Sequence, residues 1–119
     1  MNWKLDKNKP ICPQLCEQIS VRIASGIYKS NDKLPSVRDL AIVAGVNPNT
    51  VQRSYELLEQ QGLIYTVRNS GRFVSEDSRV AQESVENLRI EKTKEYFLQM
   101  KALGFDEQKT KEYIKEWSV

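Results

Sequence analysis

None of the 119 residues is a histidine. The usual general base and the commonest metal ligand are therefore missing. Only two cysteines occur, Cys12 and Cys16, too few and too close for a disulfide framework. Their i, i+4 spacing would suit a metal or a redox pair, but no other soft ligand stands nearby in sequence. Both open an apolar face, so core packing as small hydrophobes is the expectation. No apolar run reaches the roughly 18–20 residues that span a bilayer. The N-terminal MNWKLDKNK lacks the apolar centre of a secretory signal. No membrane partner, no cofactor and no metal are expected, and the location expected is cytoplasmic. There is no glycine-rich phosphate loop and no gathering of carboxylates, which speaks against an enzyme.

What is present describes an ordinary soluble chain: 39% hydrophobic and 29% charged residues. The length suits one compact domain with an appendage. Net charge is +2 and unevenly spread. Residues 1–76 hold ten Lys/Arg against seven Asp/Glu, a net +3; residues 77–119 hold eight against nine, a net −1. A polyanion partner is permitted by this asymmetry, not demanded.

Helical spacing of Leu15, Cys16, Ile19, Ile23 and Ile27 predicts a first helix, starting at Pro13 and stopping at Gly26. In LPSVRDLAIVAG, Ser36 is a suitable N-cap with Asp39 three residues on; Val37, Leu40, Ala41 and Ala44 are expected to face inward. After Gly45, Asn47 caps a third helix with Pro48 in its first position, running to about Gln61. Two helices joined by so short a glycine-containing turn read as a helix-turn-helix. LIYTV and RFV, joined by RNSG, read as a hairpin placed to act as a wing. From about Arg79 to Leu103 no glycine or proline interrupts a long helix, and a final helix follows Phe105 and the capping Asp106. The fold class is mainly α: a winged helix-turn-helix in residues 1–76 and a two-helix segment in 77–119.

The third helix is unusual in its distribution of polarity. Asn47, Asn49, Thr50, Gln52 and Arg53 crowd its first two turns, while Val51, Tyr55 and Leu58 keep an apolar stripe. Inserted end-on into a DNA major groove, such an end meets base edges and phosphates: Asn and Gln pair with adenine, Thr meets a phosphate or thymine methyl, and Arg reaches phosphate or guanine. Capping and solvation alone would account for these residues equally well on the helix by itself. Arg38 in the preceding helix and Arg68 and Arg72 on the wing shift the balance toward a duplex. A winged helix can also serve as a protein-interaction module; the basic residues at 38, 53, 68 and 72 argue against that alternative.

The run KLPSVRDLAIVAGVNPNTVQRSYELLEQQGLIYTVRNSGRFVS resembles the winged helix-turn-helix of GntR-type bacterial transcription regulators, and PICPQLCEQISVRIASGIYKSNDKLPS resembles that family's first helix and its entry into LPS-x-R. The VNPNTV turn, the short C-terminal part and ALGFDEQKTKEYIKEW resemble the YtrA-like branch. The resemblance implies a sequence-specific DNA-binding transcription regulator, expected to repress by occupying an operator; regulators like this branch often control ABC-transporter operons. It places Arg38 on an arginine that grips DNA, Asn49, Thr50 and Gln52 on recognition-helix contacts, and Arg68 and Asn69 at the wing tip. With Ser36, Asn47, Arg53, Gly71 and Arg72 these make the expected DNA-binding set. Two residues depart from the pattern: Pro48 stands where an arginine is frequent, and Asn69 where glycine is usual.

About 45 C-terminal residues are too few for an independent ligand-binding core. Two amphipathic helices with unburied stripes are most simply satisfied in a symmetric homodimer. Val85, Leu88, Tyr96, Phe97, Met100, Leu103, Tyr113, Ile114 and Trp117 are the expected interface. A pocket between protomers would admit a small-molecule effector, which no residue specifies. The expected partner is double-stranded DNA carrying a palindromic operator.

Overall fold

The computed structural model describes residues 2–117. In chain order the elements are α1 (Ile11–Ala24), α2 (Val37–Ala44), α3 (Pro48–Gln60), β1 (Ile64–Val67), β2 (Gly71–Val74), α4 (Arg79–Ala102) and α5 (Glu107–Glu116). The contacts divide the chain into two units, Met1–Val85 and Glu86–Val119.

In the first unit, α1, α2 and α3 surround one core, against which β1 packs through α3. Leu15, Ile19 and Ile23 of α1, Leu40 and Ala41 of α2, and Val51, Tyr55 and Leu58 of α3 are its centre. Leu34, Leu63, Ile64 and Val74 close it from the connecting segments and the hairpin. Ala81 is also buried here, Val80 packs beside it, and Val85 is only 9% exposed. The first turns of α4 thus belong to the first unit, which extends past residue 76 for that reason.

Local chemistry sets the helix ends. Ser36 Oγ accepts from the Asp39 N–H at 3.0 Å, capping α2. Gly45 closes α2 at φ 69°, a left-handed conformation that favours glycine. Helix α1 starts before Pro13, at Ile11, with Pro10 as its N-cap. Pro13 then occupies the third position, where a missing N–H still costs no intrahelical bond. The Gln14 amide donates back to the carbonyls of Asp6 and Pro10, both at 2.9 Å, and fixes this entry. Ile27 does not join the core: α1 ends at Ala24, Gly26 turns the chain at φ 82°, and Ile27 is left 47% exposed.

β1 and β2 pair antiparallel with Ile64 opposite Val74 and Val67 opposite Gly71, leaving residues 68–70 as the wing tip. Ser70 N–H bonds to Val67 O at 3.0 Å, and Asn69 takes φ 63°, in the left-handed region that asparagine tolerates. Tyr65 and Phe73 stack across the hairpin with centroids 5.7 Å apart.

In the second unit, the rest of α4 and α5 are joined at Gly104. Asp106 Oδ1 accepts from the Lys109 N–H at 2.8 Å, the expected cap. Thr110 is buried, its hydroxyl bonded to Asp106 O. Phe105 meets Tyr113 edge to face at 5.7 Å, and Tyr113 leans on Trp117 at 6.0 Å.

Candidate nucleic-acid interface

The turn between α2 and α3 is built from two short-range bonds around an extended residue. Val46 N–H reaches back to Ala41 O, Asn47 is extended, and Asn47 Oδ1 accepts from the Asn49 N–H at 2.8 Å. Pro48 then opens α3. The cap uses the oxygen of Asn47 and leaves its amide NH2 for another partner. With Val51, Ser54, Tyr55 and Leu58 turned inward, Asn49 and Arg53 share the outer face, four residues apart, and both are exposed. Thr50 and Gln52 are half-buried on its flanks. Gln52 Nε2 donates to Glu56 Oε1 at 2.9 Å, so an adenine would have to share or displace that bond.

Arg38, in the first turn of α2, and Arg68, at the wing tip, are exposed. Among the described residues Arg38, Arg53 and Arg68 have no ion pair and no side-chain hydrogen bond, which leaves their charge available to an outside anion. Ser36 is exposed, with its hydroxyl engaged in the α2 cap.

Arg72 differs from the other wing residues. Its guanidinium lies 5.3 Å from the centre of the Tyr55 ring, it is half-buried, and its Nε is buried with no partner. Tyr55 is fully buried and donates its hydroxyl to Pro35 O at 2.7 Å. Burial first, then nearby Tyr28, holds the Tyr55 hydroxyl well above the ordinary tyrosine range, with the Arg72 charge opposing. Arg72 therefore ties the wing to α3 by a cation–π contact rather than standing free with Arg38 and Arg68. The Thr66 hydroxyl bonds to the Glu59 carboxylate, a second link between wing and α3.

Two lysines near this surface were not singled out from sequence. Lys33 pairs with Phe73 in an isolated bridge, and a Cβ added to Gly71 would stand 3.0 Å from its Cε. Lys7 donates to Gly45 O at 2.8 Å, placing a cation at the end of α2, where the helix dipole favours one. Both arrive through contacts distant in sequence, so no local spacing announced them.

The chain matches the family model "Bacterial regulatory proteins, gntR family" over residues 13–74. It is 37% identical over 111 residues to the HTH-type transcriptional repressor YtrA of Bacillus subtilis, covering 92% of this chain and 85% of that one. Its fold is similar to that of a GntR family transcriptional regulator from Listeria monocytogenes, with TM-score 0.82 and 36% identity over 96% of this chain and all of that one. It is also similar to the AraR DNA-binding domain solved in complex with operator ORE1, with TM-score 0.53 and 28% identity over 63% of this chain and 94% of that one.

Proposed function

This chain belongs to the gntR family of bacterial regulatory proteins, in its YtrA-like branch, and we propose that it acts as a homodimeric repressor on an inverted-repeat operator. The coarser statement, a DNA-binding transcription regulator, follows from the family. The observation that carries the finer one is the exposed, unpaired cationic and amide surface around the first turns of α3: Asn49 and Arg53 outward, with Arg38 on α2 and Arg68 at the wing tip free of internal partners. Asn47, Thr50 and Gln52 complete the base-facing end. Ser36 and Gly71 approach through their backbone, and Asn69 shapes the wing tip.

The proposed division is a DNA-binding domain over 1–76 and a dimerisation segment over 77–119. The second unit leaves Tyr96, Leu98, Leu103, Tyr113, Ile114 and Trp117 exposed, more large apolar surface than so small a unit would leave in water alone. Leu88, Phe97 and Met100 are half-buried and flank that surface. Val85, already covered inside the first unit, contributes little to it. In a two-fold dimer the two recognition helices would sit about 34 Å apart, one turn of B-DNA. Occupying such an operator would block transcription of the genes beside it; an ABC-transporter operon is the proposed target, and an effector would enter between protomers.

Selection of bound sites from a random DNA pool by the purified chain tests this reading. The expected product is an inverted repeat with half-site centres one helical turn apart, bound by a species of twice the monomer mass. Single, asymmetric half-sites bound by monomer would overturn the dimer. A pool that never enriches would overturn base-specific reading by α3.

A further inference from the structure

Cys12 and Cys16 lie one turn apart on α1, and both sulfurs face the same residue of the recognition helix. Ser54 Oγ lies 3.3 Å from Cys12 Sγ, and Cys16 Sγ donates to Ser54 O at 3.6 Å. Neither is sealed in the core: both are half-buried and both are free thiols. Cys16 packs against the core, as expected from sequence, yet neither thiol is fully covered.

Their spacing discriminates between uses of a thiol pair. Helical residues four apart hold their Cβ atoms about 5–6 Å from each other. A disulfide needs about 3.5–4.5 Å, so it would require α1 to break its turn. A metal bridge holds its sulfurs further apart: with thiolate bonds of about the 2.3 Å found for zinc, a linear S–metal–S unit spans about 4.6 Å between sulfurs, against about 2 Å in a disulfide. That fits two side chains leaning together over one helical turn. Among the described residues no three His, Cys, Asp or Glu groups gather to hold an ion, so a metal that demands four protein ligands is not served. Soft thiolate ligands select Cu(I).

We propose that Cys12 and Cys16 form a two-coordinate site for a soft monovalent ion of the Cu(I) class, set into the contact between α1 and the recognition helix. Binding breaks the two S–H bonds and forms two S–metal bonds. Both protons leave to solvent, and no electron is transferred. Ser54 keeps its own partner, since its hydroxyl donates to Thr50 O at 2.8 Å. Loss of the Cys16 bond to Ser54 O therefore does not unsatisfy the hydroxyl that holds this part of α3. The site is independent of whether the chain represses, dimerises or reads an inverted repeat.

The test titrates the reduced full-length chain with Cu(I), without oxygen, against a chromophoric Cu(I) chelator, and counts reactive thiols with a chromogenic disulfide reagent. Expected are one ion per chain, loss of both thiols from the count, and much weaker retention of Zn(II). Cys12→Ser and Cys16→Ser should each lower Cu(I) affinity beyond the 10–100-fold typical of losing an outer-shell partner. Undiminished uptake in the Cys12→Ser/Cys16→Ser double variant would overturn the proposal, as would a bound ion that leaves both thiols reactive or one ion bridging two chains. Rapid, complete formation of an intramolecular disulfide with a thiol oxidant would overturn the spacing argument. If a serine variant misfolds by circular dichroism, the wild-type stoichiometry and thiol count still decide the matter.

Discussion

Replacing Tyr55 by phenylalanine removes one oxygen from the centre of the first unit. That hydroxyl donates to Pro35 O at 2.7 Å, a normal length for an O–H···O bond. It ties α3 to the residue just before the Ser36 cap, and so sets where α2 begins relative to α3. A typical intramolecular hydrogen bond contributes about 0.5–1.5 kcal/mol net, and a buried acceptor left alone costs about 1–3 kcal/mol. Pro35 is half-buried, so water restores part of the loss. A destabilisation of about 1–2 kcal/mol is expected. For a unit of this size each kcal/mol shifts the midpoint by about 4–8 °C, so the melting temperature should fall by about 4–16 °C. The ring remains, and with it the Arg72 guanidinium 5.3 Å away. Tyr55→Leu removes the ring as well and should cost more, by the shape mismatch plus a cation–π contribution of about 0.5–2 kcal/mol. Far-UV circular dichroism melts of the two variants separate these parts. A midpoint within about 2 °C of wild type for Tyr55→Phe would show that the Pro35 carbonyl is fully hydrated without Tyr55. Equal losses in both variants would show that the Arg72 contact contributes nothing.

Arg38→Ala should weaken operator binding at least tenfold in a gel-shift titration while leaving the melting temperature near wild type, because the side chain is exposed and without internal partners; unfolding instead would make Arg38 structural. If the dimer neutralises about six to eight phosphates, log K should fall with log salt at a slope of about −5 to −7, and a flat plot would remove the footprint. Burial above all, then nearby Cys12, pushes the Cys16 thiol up to about 11 from 9.0, and burial raises Tyr55 and Tyr28 as well. The folded form holds these protons more tightly than the unfolded chain, so stability is complete below about pH 9 and declines as pH rises through 11. Denaturant midpoints between pH 8 and 11.5 check this, and Cys16→Ala should flatten the first part of the decline. Gly71→Ala should destabilise the wing by about 1–2 kcal/mol, because φ is 133° there, a conformation L-residues avoid. The loss should persist in a Lys33→Ala background, which clears the nearby Cε but not the backbone strain; rescue by Lys33→Ala would assign the cost to crowding.

What could be read from the sequence divides by the range of the interaction that decides it. The Ser36 and Asn47 caps, Pro48 at a helix start, the left-handed Gly45 and the hairpin around Asn69 are each settled within about one turn or one loop of chain, and all were legible. The outward face of α3 was legible too, since burial of Val51, Tyr55 and Leu58 at helical spacing forces Asn49 and Arg53 to the other side. What failed was decided across longer stretches. α1 begins at Ile11 because Gln14 binds the carbonyls of the segment before it. Arg22 is buried under Trp3, its carbon 3.5 Å from the ring centre, a pairing that helical spacing alone would assign to an exposed face. Arg72 shows the same limit at the candidate site. From spacing it is one more wing cation; in the fold its guanidinium rests on Tyr55, 17 positions earlier, so it also braces the wing against α3. Helix α2 and the wing thus carry two kinds of arginine that spacing alone does not separate. Arg38 and Arg68 stand exposed without internal partners, whereas Arg72 holds the wing against α3.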